Sequence, residues 1–194
     1  MLRLTALAVT ATTAGAAVAE PPAGLEVDQA DLFYDVLGGT SGQILESLRS
    51  EAGDVRKDHF AEARWKVNYR YDSRRNAVGS CRVTRVNVWL DLRTIMPRWR
   101  APKATPTSLR QKWQTFDAAL KTHERGHNDI VVKVAGEFTE ALRTLKGPCD
   151  DLEGRAQQLL TEYIARGDAL NSRYDDETRH GRDQGAWWDA ARDR

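Results

Sequence analysis

Between Thr107 and Leu145 the chain runs without a proline, and only Gly126 and Gly136 interrupt strong helix formers. Leu109, Trp113, Phe116, Leu120, Ile130, Val134, Phe138, Leu142 and Leu145 recur there at steps of three and four, which makes one apolar stripe on one long helix. Whatever else the chain forms has to cover that stripe. "KGPCD" ends the helix, and Asp150 or Asp151 can cap a second one carrying Leu152, Ala156, Leu159, Leu160, Tyr163, Ile164 and Leu170. So short a link predicts an antiparallel helical hairpin.

Upstream the period changes from helical to alternating. "DLFYDVLGG", 31–39, has the apolar density of a short strand, and "TSGQILESLRSEAG" opens on hydroxyl residues and spaces Ile44, Leu45 and Leu48 as a short helix would. Ala63, Trp65, Val67, Tyr69 and Tyr71 alternate with Arg64, Lys66, Asn68 and Arg70, which predicts a half-buried strand. After a turn at "DSRRNAVGS", "CRVTRVNVWLDL" resumes alternation, with Val86, Val88, Leu90 and Leu92 facing one way. Cys81 and Val83 are one residue out of phase with that set, so a bulge is expected near Thr84. Pro97, Pro102 and Pro106 should end the hairpin. The expected fold class is α+β: a small antiparallel sheet packed on a long helix that is paired with a second, antiparallel helix.

At 194 residues, 41% hydrophobic and 29% charged, the chain can support one core. A basic start, an apolar run from Leu4 to Val18 and the small-residue site Ala17-Val18-Ala19 read as a secretory signal peptide over 1–19. A loose leader over 20–30, a single domain over 31–187 and a tail over 188–194 complete the expected organisation. Export to a periplasm or the exterior follows, with no stable membrane anchor once the signal is cleaved. Removing Arg3 leaves 29 − 1 = 28 basic residues against 28 acidic ones, and a neutral balance gives nucleic acid no electrostatic footprint. In an oxidising compartment the two cysteines, Cys81 and Cys149, read as one disulfide, worth roughly 4 kcal/mol in the chain-entropy account.

Inside the long stripe stands His123-Glu124-Arg125-Gly126-His127, the pattern H-E-x-x-H. Residues four apart lie one turn apart on one helix face, so two imidazoles can reach one zinc ion, and the glutamate beside the first can take a proton from a zinc-activated water. The stripe passes through both histidines, so both should point inward, where leaving two imidazoles without partners would cost several kcal/mol. A third protein ligand is then needed. Along the first helix, His127 to Leu145 climbs about 27 Å, and a return helix from Leu152 to about Tyr174 descends about 33 Å, which brings "YDDETRHG" back to the level of the motif. His180 is the expected third ligand, with Glu177 as runner-up and Glu153 and Glu162 fitting less well. Tyr174, or an arginine near the site, is the candidate for stabilising an oxyanion, and the same tyrosine would serve equally as a packed aromatic. Asn128 and Asp129 could orient the ligands.

"FYDVLGGT", "ARWKVNYRY", "CRVTRVNV", "MPRW", "HERGH", "GPCD" and "YDDETRHGRDQGA" occur in an order that resembles the bacterial family called domain of unknown function 922, described as predicted secreted zinc-dependent proteases. The likeness covers about residues 31–187. It implies a metallopeptidase-like site at His123, Glu124 and His127 and a role for Tyr174, Thr178 and His180. It names no substrate, because the protease label itself comes from the motif. The expected function is thus a zinc-dependent hydrolase, in first place a metallopeptidase that acts on a peptide or protein held along a strand edge. The alternative is a non-catalytic zinc-binding envelope protein.

Overall fold

The computed structural model describes residues 21–51 and 59–190. The expected signal peptide therefore lies outside the described residues. In chain order the elements are β1 (Leu25–Val36), α1 (Ser41–Glu51), β2 (Glu62–Arg75), β3 (Ser80–Trp99), α2 (Thr107–Arg143), β4 (Lys146–Pro148) and α3 (Leu152–Thr178). Short 3-10 turns span Cys149–Asp151 and Arg182–Gln184. No helix among the described residues is long and apolar enough to cross a membrane.

The fold is α+β, but its sheet is mixed rather than antiparallel. The strand order is β1-β3-β2, with the short β4 on the start of β3. β2 pairs antiparallel to β3 as a hairpin must, whereas β1 runs parallel to β3 from Leu25 opposite Val88 to Val36 opposite Trp99. Alternation within a strand says which side chains face the core and nothing about the direction of its neighbour. β1 also begins at Leu25, inside the segment expected to be a loose leader. The expected bulge is present: Asp72 lies opposite Arg85 and Ser73 opposite Val83, which leaves Thr84 as the extra residue. Its hydroxyl donates to the Asp72 carbonyl at 3.2 Å.

Pro97 does not end β3, which continues to Trp99. Val88 and Arg100 donate their N–H groups toward the β1 side, so odd-numbered residues of β3 face the other neighbour. β2 starts at Glu62, opposite Ile95, and offers nothing at 97 to pair. The donor that proline lacks therefore has no ladder bond to lose.

Two apolar clusters cover the stripe of α2. One joins Val83, Val86, Val88, Leu90 and Leu92 of β3 to Val131, Ala135, Phe138 and Leu142 of α2 and to Leu152 and Ala156 of α3. The other gathers Val36, Ile44, Leu48, Phe60 and Met96 around Leu109, Phe116 and Leu120, and it is closed by Ala186 and Trp188. Trp188, expected in a tail, is buried, and its indole N–H donates to the Ser41 carbonyl at 3.0 Å. α2 and α3 are antiparallel, as contacts pairing Phe138 with Tyr163, Glu137 with Arg166 and His127 with Asn171 show. The Cys81–Cys149 disulfide ties the start of β3 to the turn before α3.

Candidate metal centre

Between the two apolar clusters, α2 turns a polar band toward the interior: His123, Glu124, His127 and Asn128 are all buried. These positions continue the face of Leu120 and Val131, so the burial that orders the helix also carries the four polar groups inside. Gly126 lies within the same turn and is intermediate in exposure. A Cβ at that position would collide with the Tyr174 hydroxyl, so glycine there lets α3 approach the two histidines closely.

The Nε2 atoms of His123 and His127 lie 3.2 Å apart. Oδ1 of Asp175 stands 3.2 Å from the first and 3.1 Å from the second. A tetrahedral ion with ligands at 2.0–2.1 Å holds them about 3.3 Å from one another, so this nearly equilateral triangle fits one. The opposite edge of each ring is braced. His123 Nδ1 faces Gln184 Oε1 at 2.9 Å, and His127 Nδ1 faces Asn171 Oδ1 at 3.1 Å. An amide oxygen only accepts, so each Nδ1 carries the proton and each Nε2 directs a lone pair at the common point. Gln184 is held in turn because its amide donates to the Tyr174 hydroxyl at 2.9 Å.

The charges respond to this packing. Burial acts to raise the carboxyl of Asp175, but the imidazoles of His123 and His127 outweigh it and hold that group well below the usual carboxylate range. Burial acts to lower His127, yet its bond to Asp175 prevails and the imidazole ends above its ordinary value. Glu124 is pushed up to about 7, first by burial, with His127 and His123 opposing in part. Its Oε2 is buried with no hydrogen-bond partner among the described residues. Glu124 also lines a cavity of about 380 Å³ bounded by Glu62 and Trp65 of β2 and by His127, Asp175 and His180. A water or substrate group there can supply the missing partner.

Of the expected residues, the fold unites His123, Glu124 and His127, while His180 does not reach the point their imidazoles share. α3 continues past Tyr174 to Thr178, so Asp175 is still helical, one turn beyond Asn171, and arrives first. The chain then leaves the helix through three left-handed residues, Arg179, His180 and Gly181. His180 Nδ1 ends 3.6 Å from Asp175 Oδ1. Thr178 secures the turn by donating to the Tyr174 carbonyl and accepting from the Gly181 N–H. Gly181 lies against the His123 ring, where a Cβ would come within 2.9 Å.

Glu177 is exposed and paired with Arg173, Glu153 accepts from Tyr69 and Tyr71, and Glu162 accepts from Gln158. Asn128 donates to Thr94 of β3 at 3.0 Å, which fixes α2 on the sheet, and Asp129 is exposed. Tyr174 stacks on the His123 ring and meets the His127 ring edge-on, with its hydroxyl directed to Gln184. The ring thus packs as a wall against both histidines, and its hydroxyl is engaged by Gln184. Asp175, Asn171 and Gln184, which meet the two imidazoles, are not among the residues expected from the sequence. The signal for the first two was available: Asn171, Tyr174, Asp175 and Thr178 keep helical spacing through a segment whose polar composition reads as a loop.

The chain matches none of the curated proteins and none of the solved structures. A family model described as "Bacterial protein of unknown function (DUF922)" matches residues 32–181, from the middle of β1 to the glycine that packs on His123. That span holds all three α-helices and every member of the triangle, and the chain belongs to the DUF922 family.

Proposed function

We propose that His123, His127 and Asp175 hold a zinc ion and that the protein is an exported metal-dependent hydrolase, in class a metallopeptidase. One observation carries the reading: three ligand atoms from two helices converge at 3.1–3.2 Å, with both histidines braced so that only Nε2 is free. Without a metal ion, an imidazole of the pair has to take up a proton to face the Asp175 carboxylate, which matches the raised His127 and the lowered Asp175; a divalent cation would occupy the same point in place of that proton. When bound, zinc supplies Lewis acidity that makes a water more acidic and polarises a carbonyl.

The remaining work falls to the chain's own groups. Glu124 stands beside His123 with one carboxylate oxygen unpaired among the described residues, placed to take a proton from water and pass it to a departing amine. Asp175 contributes the negative charge, and Asn171, Gln184 and Tyr174 keep the imidazoles oriented. β2 is an edge of the sheet, and its residues Glu62 and Trp65 form one wall of the cavity. An extended peptide could pair with that edge and cross in front of Glu124.

The test joins metal analysis with Glu124→Gln. The variant should retain one zinc per chain and lose about 10²- to 10⁴-fold in cleavage of an unfolded protein substrate. Equal cleavage by both proteins would remove Glu124 as the base. Bound metal with no hydrolysis by either would favour the non-catalytic zinc-binding module.

A further inference from the structure

Asp175 has a second set of neighbours. The ligand atoms of His59, Asp175 and His180 lie within 4.8 Å of one another, on the outer side of the His123/His127 pair. The rings of His59 and His180 meet edge-on with centroids 4.5 Å apart, and His180 Nδ1 is 3.6 Å from Asp175 Oδ1. Asp175 and His180 are five residues apart, on the last turn of α3 and the turn that follows, and His59, at the residues entering β2, comes from a distant part of the chain. His180 holds a left-handed conformation with φ 55°, unfavourable for a residue with a side chain, and its N–H donates to the Asp175 carbonyl at 2.7 Å. The turn thus accepts strain at the residue whose imidazole it brings up to the carboxylate.

The surroundings favour a cation. Glu62, Asp168 and Asp176 line the same cavity, and none of the described residues lining it is a lysine or arginine. Edge-on packing of two imidazoles would alone account for the ring contact, but it does not call for a shared carboxylate or an acidic rim. A carboxylate offers about four lone-pair directions, enough to serve two ions at once.

We propose that His59, Asp175 and His180 form a second divalent-cation site at the cavity mouth, bridged through Asp175 to the His123/His127 centre. Two imidazoles and one carboxylate suit a borderline ion such as Zn²⁺ over Mg²⁺ or Ca²⁺. It binds more weakly than the inner site, because its ligand atoms are spread wider than the 3.1–3.2 Å inner triangle and His180 is well exposed. The proposal rests on the inner site only through the shared carboxylate.

The experiment titrates metal-free protein with Zn²⁺ against a chromophoric chelator and repeats the titration with Co²⁺, read by its absorption bands. Wild type should bind two equivalents, the second at least about tenfold more weakly. His59→Asn and His180→Asn should each abolish the second event and leave the first within about twofold; asparagine suits the left-handed backbone at 180. One equivalent in wild type that survives both variants and disappears in His123→Asn overturns the outer site and leaves the inner one standing. Two equivalents retained in His59→Asn and His180→Asn also overturn it. One equivalent lost in those variants but kept in His123→Asn upholds the outer site and removes the inner one. No binding at all overturns both.

Discussion

Two stretches of α2 sit on the same face, one helical repeat apart, and are held by different physics. From Val131 to Leu142 the helix is secured by apolar contact with β3 and α3, and its neighbours are several and interchangeable. From His123 to Asn128 it is secured by single partners: Gln184 for one imidazole, Asn171 for the other, Thr94 for the amide, Asp175 between the two rings. Apolar packing degrades gradually when one atom is removed, whereas a buried polar group deprived of its one partner loses most of its satisfaction. The first stretch should therefore govern stability and the second should govern the metal.

The largest separation is expected at Phe138, fully buried between Tyr69 and Tyr163. Phe138→Ala should cost about 3–5 kcal/mol in urea unfolding and leave zinc affinity of the folded protein unchanged within a few-fold. A variant that loses zinc in proportion to stability would break the contrast.

Glu124 should give the next largest effect, with the opposite sign. Its carboxyl is raised in the fold from an ordinary value of 4.5 to about 7. An acid raised on folding favours the fold while protonated, so that contribution is present below about 4.5 and is lost as pH rises through about 7. In metal-free protein, Glu124→Gln should gain on wild type by about 3 kcal/mol between pH 4.5 and pH 8. Parallel stability profiles for the two proteins would show that this carboxyl is not held in a disfavoured charge state.

The smallest effect sharpens the polar half. Gln184→Ala removes the acceptor for His123 Nδ1 and the donor to Tyr174. Zinc affinity should fall about 10- to 100-fold, with unfolding free energy changed by no more than about 1 kcal/mol, because the residue lies outside both apolar clusters. Full affinity in this variant would mean that the ring is oriented by Tyr174 and Gly181 alone.

Much of this arrangement is legible in the sequence, and the features that are not share a cause. The stripe of α2, the helical hairpin, the phase slip at Thr84 and the pairing of the two cysteines are local signals, each carried by spacing in a single segment or by the only two residues able to form the bond. β1 is longer than the strand expected over 31–39 and runs parallel to β3 instead of antiparallel, because its pairing depends on β3, more than fifty residues away, and parallel neighbours leave no mark within a strand. Trp188 looked like tail because the core that receives it is assembled from β1, α1 and α2. A third histidine is conspicuous in the sequence and points to His180, while the continuation of α3 through "YDDET", which brings Asp175 beside the pair, is hidden by its polar composition.

Two imidazoles and a glutamate share one inward helix face for local reasons, since the repeat of an α-helix and the burial of its apolar neighbours leave them no other direction. Which carboxylate meets them is a matter of how the segments pack. That choice depends on where α3 stops, on a glycine at 126 thin enough to let Tyr174 approach, and on the left-handed turn that halts His180 at the mouth of the cavity. Each is a matter of distance between segments far apart in the chain, which no local pattern records.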